Sequence, residues 1–218
     1  MRKHRRKKRN MVFVLFLTFC ALAMFQHYFQ LQKPAPLEKM DPFAGVKKYR
    51  TLLYDELAKY NLQEHTDVLI AVMQQESHGQ GGDPMQASES VGLARNSIQD
   101  PKQSIEAGVK HFQQVLSYGN SKKVDFPTII QAYNMGRGYI DFVAQHGGRH
   151  SEELAKQYSL LRAQENPTLY NCGGDKKNFR YPYCYGDFTY STKVSHNLQL
   201  LSDSIPVNGD GNQTGGSF

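Results

Sequence analysis

The chain has 218 residues and a formal net charge of +6, with 26 Lys+Arg against 20 Asp+Glu. That length allows one domain of ordinary size with tails. Seven of the basic residues lie within residues 1–10, MRKHRRKKRN, and the remainder carries a net of −1. A near-neutral folded part offers no basic stripe, so no nucleic-acid partner is expected.

Residues 11–29, MVFVLFLTFCALAMFQHYF, come after the basic segment as an almost unbroken apolar run. A basic flank before such a run marks a signal-anchor or a secretory signal peptide. A spanning helix needs roughly 17–25 residues, which Met11 to Phe29 supplies. Ala21-Leu22-Ala23 has the A-x-A form of a cleavage site. The strongly charged flank and the apolar residues beyond that site favour an uncleaved transmembrane anchor. Either route exports the C-terminal domain and leaves the basic end inside. Lipidation at Cys20 is not expected, because bulky Phe19 precedes it. Residues 30–43 hold three prolines and little periodicity, and read as a linker.

From there the pattern is helical. Val46, Tyr49, Leu52, Leu53, Leu57 and Tyr60 recur at three- and four-residue steps and predict one helix. Thr66 is the expected cap of the next, which is apolar nearly all round from Val68 to Met73 and so is the expected buried centre. It should end between Glu76 and Gly79. Residues 79–100 form a long glycine-rich irregular segment, a kind that is usually functional or disordered. Asp100-Pro101 then starts a helix that Gly119 should stop. Further helices are expected from Phe126-Pro127 to the Gly136/Gly138 break, over 139–145, and from Ser151 to Pro167. Residues 168–188 are rich in Tyr, Gly and Pro, and leave room for a small hairpin. A last helix should span Thr189 to Leu201. Residues 202–218 have the composition of a disordered tail. The expectation is an all-α domain over 44–201 with long irregular loops.

Cys172 and Cys184 stand twelve apart within the Tyr/Gly-rich loop. In an exported domain they read as one disulfide or as two free thiols, with the bond ahead. No paired Cys or His spacing accompanies them, so no metal or other cofactor is expected.

The chemistry concentrates in Gln74–Ser90, QQESHGQGGDPMQASES. Glu76 falls at the end of an apolar helix, where partial burial and the helix dipole would raise its pKa. A glutamic acid protonated near neutral pH can donate to a glycosidic oxygen. Asp83, seven residues on, supplies a second carboxylate, and two carboxyls across a cleft are the minimum for glycoside hydrolysis. Taken alone the pair is weak: Glu76 also fits a solvated helix end, and Asp83 a turn before Pro84. His78, Glu89, Arg95 and Arg137 read as exposed or turn residues, and Ser88 as a loop support.

Other segments strengthen the signal. Glu76-Ser77, Met85-Gln86, Gln131-Ala132-Tyr133-Asn134-Met135-Gly136 and Tyr185 to Tyr190 occur in that order. Here the chain resembles the goose-type lysozyme and lytic transglycosylase superfamily. ESHGQGGDPMQASES is similar to the bacterial branch represented by the muramidase domain of CwlT-type wall hydrolases. The resemblance implies a lysozyme-like fold acting on peptidoglycan glycan strands. It implies Glu76 as general acid and Asp83 as second carboxylate. It also implies a sugar-binding cleft lined by Ser77, Met85, Gln86, Gln131, Tyr133, Asn134 and Tyr190. Pro84 departs from the transglycosylase pattern of Gly-Leu before Met-Gln, which favours hydrolysis. The expected activity is muramidase cleavage of the β-1,4 bond after N-acetylmuramic acid. The alternatives are a lytic transglycosylase forming an anhydro sugar and a non-catalytic glycan-binding module.

Overall fold

The computed structural model describes residues 18–20, 22–26, 28 and 41–204. The chain divides into two compact units, residues 1–40 and 41–218. In the first, the described residues are helical, and Phe19, Leu22, Met24 and Phe25 are exposed. No helix among the described residues is long and apolar enough to cross a membrane. The basic segment, much of the expected anchor, nearly all of the linker and the tail beyond Ser204 lie outside the described residues.

The described residues of the second unit form eight α-helices and no strand. These are α1 (Ala44–Lys47), α2 (Arg50–Ala58), α3 (Thr66–Ser77), α4 (Pro101–Lys122), α5 (Phe126–Met135), α6 (Arg137–Gln145), α7 (Glu152–Glu165) and α8 (Tyr190–Asp203). The apolar run predicted as central is central: every residue of α3 from Val68 to Gln74 is buried. Helix α8 lies along it, α1 and α2 also pack on it, and Asn197 donates to the Ala71 carbonyl at 3.3 Å. The single helix expected over 46–60 is split into α1 and α2 near Lys48. Thr66 is the first helical residue of α3 rather than its cap, and its hydroxyl donates to the Gln63 carbonyl at 2.6 Å.

Local caps explain the other boundaries. Asp100 accepts from the Lys102 amide and precedes Pro101. Asp125 accepts from the Thr128 amide and precedes Phe126-Pro127. Ser151 accepts from the Leu154 amide. Each satisfies one of the free N–H groups at a helix start. Gly119 does not stop α4, which runs on to Lys122. This glycine faces inward, and a Cβ there would lie 2.4 Å from Ile129 Cγ1. It is selected by the close approach of α5, not as a terminator.

The room left for a small hairpin within 168–188 is not used. Those residues are turns, bends and one 3-10 turn at Cys172–Gly174. Pro182 and the glycines at 173, 174 and 186 deny the continuous donors and stiffness that a strand pair needs. The loop is held instead by a Cys172–Cys184 disulfide, with Cα atoms 5.0 Å apart.

Candidate active site

Glu76 sits on the last turn of α3, where the helix's terminal carbonyls already disfavour negative charge. It is partly exposed. Burial pushes its carboxyl from 4.5 up to about 7, and the charges of Asp83 and Asp187 push the same way. The Tyr190 hydroxyl, donating to Oε1 at 2.6 Å, and the charge of Arg95 pull against that rise. Near neutral pH a substantial fraction of Glu76 therefore carries a proton that it can give to a leaving oxygen.

Tyr190 opens α8 and is almost wholly buried. Its ring lies parallel to that of Tyr133, with centroids 6.4 Å apart. Tyr133, on α5, sends its hydroxyl to the Met85 carbonyl at 3.3 Å. Its ring also meets that of His111 of α4, edge to face at 4.7 Å, and the His111 Nε2 lies 2.9 Å from the Tyr133 carbonyl oxygen. Glu76, Tyr190, Tyr133 and His111 thus form one continuous wall drawn from four helices.

Asp83 has a different environment. It is 5% exposed, and both carboxylate oxygens are engaged. Oδ1 accepts from the Ala87 amide at 2.9 Å and the Ser104 hydroxyl at 2.7 Å. Oδ2 accepts from the Ser88 amide at 3.1 Å and the Ser88 hydroxyl at 2.5 Å. Burial alone would raise its pKa, but these four donors outweigh burial and hold it below the usual carboxylate value. A carboxylate offers about four acceptor positions. All are in use here, and they tie residues 83–88 to α4.

The other predicted site residues divide into surface and support. Ser77 is a tether: its hydroxyl donates to the Pro84 carbonyl at 2.8 Å and accepts from the Gly79 amide at 3.0 Å. Gln86 is partly exposed beside it, with a left-handed φ of 48°. Both its backbone and side-chain amides point back to the Asp83 carbonyl at 3.0 Å. The expectation that the Met85 side chain lines a sugar subsite is not met, because that side chain is fully buried and packs on Gly108. Gln131 is likewise inside. Its amide donates to the Asp187 carbonyl at 2.6 Å and its oxygen accepts from the Ser191 amide at 3.0 Å. It caps the start of α8, which has no side-chain cap of its own. Asn134 is exposed, and its oxygen accepts from the Asp187 amide at 2.7 Å. That bond assigns its amide orientation and turns the NH₂ donor outward.

Several contributors were not picked out from sequence. Ser104 and Gly108 are small residues on the buried face of α4, four apart, which is a signal that something approaches closely there. Asp187 links Asn134, Gln131 and, through Lys193 at 2.6 Å, the first turns of α8. Its carboxylate is partly buried, which raises its pKa, yet the Lys193 and Thr189 bonds more than offset this and lower it. Gly186 has φ 63°, and a Cβ there would meet Asn134 Oδ1 at 2.8 Å. Gly186→Ala should therefore destabilise the domain by about 1–3 kcal/mol, through strain and overpacking, measurable as a lowered Tm. Tyr190→Phe removes the donor that favours ionised Glu76. The Glu76 pKa should rise further, so the basic limb of any activity profile should move to higher pH.

The Lysozyme-like family profile matches residues 44–198. The chain belongs to the lysozyme-like family. It is 47% identical over 198 residues to the Bacillus subtilis protein named "Uncharacterized membrane protein YocA", covering 90% of this chain and 88% of that one. It is 33% identical over 181 residues to pneumococcal vaccine antigen A of Streptococcus pneumoniae serotype 4, covering 73% and 88%. The bifunctional muramidase/DL-endopeptidase CwlT of Bacillus subtilis is 38% identical over 118 residues, 54% of this chain and 35% of CwlT. A crystal structure of a protein similar to lipoprotein, NLP/P60 family, from Staphylococcus aureus matches at TM-score 0.60 and 32% identity, over 71% of this chain and 52% of that one.

Proposed function

We propose that this protein cleaves the glycan strands of peptidoglycan, with Glu76 as the general acid. The observation that carries this is a partly exposed carboxyl held near pKa 7 and gripped by a buried tyrosine. The family membership and the muramidase named among its relatives support the same substrate. The bond broken is the β-1,4 link after N-acetylmuramic acid. Glu76 protonates the leaving oxygen, and the outward donor of Asn134 suits the carbonyl of an acetamido group. The faces of Tyr133 and Tyr190 back the acid rather than the sugar, since both are buried.

Asp83 fits a positioning role better than a water-activating one. With four donors in place it has no acceptor site left for a water proton. Its charge acts through space, raising the pKa of Glu76. Hydrolysis then needs Glu76 to act in turn as acid and base. This arrangement also gives weight to a second reading, a lytic transglycosylase. There the C6 hydroxyl of the muramic acid attacks and an anhydro sugar forms, with the same single carboxyl. Mass spectrometry of fragments from purified walls separates the two, because the products differ by one water. Full wall-degrading activity in Glu76→Gln would sink both.

We further propose that residues 11–29 hold the protein in the membrane with the domain outside. The basic segment before an apolar run supports this orientation. So do the disulfide, which suits an oxidising compartment, and the membrane assignment in the name of YocA. Alkaline carbonate extraction of membranes, with protease access to intact cells, tests both the anchoring and the side.

A further inference from the structure

His111 stands outside every motif that marked the site in the sequence, yet it bonds to the end of α5 on which the site depends. Helix α5 stops at Met135, where the chain turns through Gly136 with φ 75°. The last four carbonyls of a helix have no partner within it. Here the Ala132 carbonyl takes the Gly136 amide at 2.7 Å. The next carbonyl, that of Tyr133, lies 2.9 Å from His111 Nε2, and that of Met135 takes the Tyr185 hydroxyl at 2.9 Å. A carbonyl oxygen only accepts, so the bond assigns the ring proton to Nε2. Burial lowers the His111 pKa, the bond to Tyr133 opposes this, and the charge of Arg137 adds to the fall. The ring is therefore neutral at neutral pH, with Nε2 as its donor.

The residue so held backs the acid. The Tyr133 ring lies parallel to that of Tyr190, whose hydroxyl donates to Glu76 at 2.6 Å. The groups that act on Glu76 are Tyr190, Arg95, Asp83 and Asp187. Among the described residues, Tyr190 is the one that hydrogen-bonds it. His111 also meets the Tyr133 ring edge to face, so it holds both the backbone and the ring of that residue. An apolar ring at this position would supply the packing but not the donor. The imidazole is half-buried and borders a hollow of about 380 Å³ between α4 and residues 90–92. A changed side chain has room to settle there, so substitution can remove the bond without breaking the core.

We propose that His111 is a positioning residue for the proton donor. By holding the Tyr133 carbonyl at the end of α5 it fixes the ring that backs Tyr190, and through Tyr190 the carboxyl of Glu76. This rests on the glycan-cleaving reading, and the experiment keeps the two apart. Purified full-length protein is assayed on wall glycan across a pH series, beside His111→Phe and His111→Gln. His111→Phe keeps a ring and loses the donor. It should lose about three- to tenfold in kcat, the worth of one hydrogen bond in a rate. Its KM should stay within about twofold, because the lost bond is to the protein and not to a sugar. Its basic limb should move to higher pH, as for Tyr190→Phe but by less, because the tyrosine grip on Glu76 is loosened. His111→Gln carries an N–H at about the reach of Nε2 and should stay within about twofold of the unaltered kcat, with its limb in place. A His111→Phe protein that melts earlier but keeps its kcat and its limb overturns the proposal, since that is a purely structural effect. So does a loss confined to KM, or a His111→Gln protein that falls as far as His111→Phe. If the unaltered protein cleaves no glycan, the cleavage reading fails instead, and the positioning is judged by NMR titration of the Glu76 carboxyl. That titration should move to higher pH in His111→Phe and not in His111→Gln, and an unmoved titration in His111→Phe overturns it.

Discussion

Glu76→Gln is expected to lower glycan cleavage by about 10²–10⁴-fold while leaving the protein more stable above neutral pH. The two effects share one cause. Folding moves this carboxyl from 4.5 to about 7, chiefly by burial, so the folded state favours the protonated form. A raised carboxyl pKa costs nothing below about pH 4, where both states are protonated. The cost grows as pH rises and is complete above about pH 7. At about 1.4 kcal/mol per pKa unit, with allowance for its partial exposure, it amounts to about 1–3 kcal/mol. Glutamine never ionises and avoids that cost. Thermal unfolding of the two proteins should coincide near pH 4 and diverge in favour of Glu76→Gln near pH 8. Activity of the unaltered protein should fall as pH rises through about 7, since the acid must hold its proton to donate it. A variant that is inactive but no more stable at pH 8 would contradict the burial account.

Asp83→Asn should fail in a different way. Its carboxylate receives two backbone amides and two serine hydroxyls. An asparagine NH₂ cannot accept from the donors that faced the replaced oxygen, so buried N–H or O–H groups lose their partner. Each such orphan costs about 1–3 kcal/mol, so a loss of about 2–5 kcal/mol is expected. If Asp83 merely activated water, Asp83→Asn would slow turnover with Tm unchanged. The combined loss of Tm and activity distinguishes a positioning residue. Rescue should be poor, because the geometry needs an acceptor at every corner. The pH dependence runs opposite to that of Glu76. Asp83 has a depressed folded pKa, so its stabilisation is present above about pH 4 and fades as pH falls below it. Ser104→Ala removes one of the four donors and also the acceptor of the buried Met85 amide, so it should cost about 1–3 kcal/mol.

Much of this was legible in the chain, for identifiable reasons. The caps at Asp100, Asp125 and Ser151 and the apolar run through α3 act over a few residues, so pattern reveals them. The place of Glu76 at the end of α3 and the rise of its pKa on burial were legible because a carboxylate at the polar end of an apolar helix is conspicuous. Gly119 misled because a glycine selected for helix contact looks the same as one that ends a helix. Met85 and Gln131 were placed in the cleft by motif alone, yet pattern does not say which side of a loop or helix a residue faces. The saturation of Asp83 was hidden because one of its donors, Ser104, is 21 residues away and gives no local sign. Asp187 escaped notice for the same reason, its partners lying on two helices distant in sequence.

The pairing of α3 with α8 has a consequence for how the chain is made. Glu76 and Tyr190 are 114 residues apart, and Asn197 reaches back 126 residues to Ala71. Synthesis runs from the N-terminus at about 5–20 residues per second. Helix α3 therefore waits several seconds with its α8 face bare. During that interval the acid lacks its tyrosine and the longest apolar run of the domain lacks its cover. The last helix to emerge both completes the proton donor and seals the core. A chain that stops short of α8 is predicted to be inactive and prone to aggregate, and a finished chain gains both properties in one closing step.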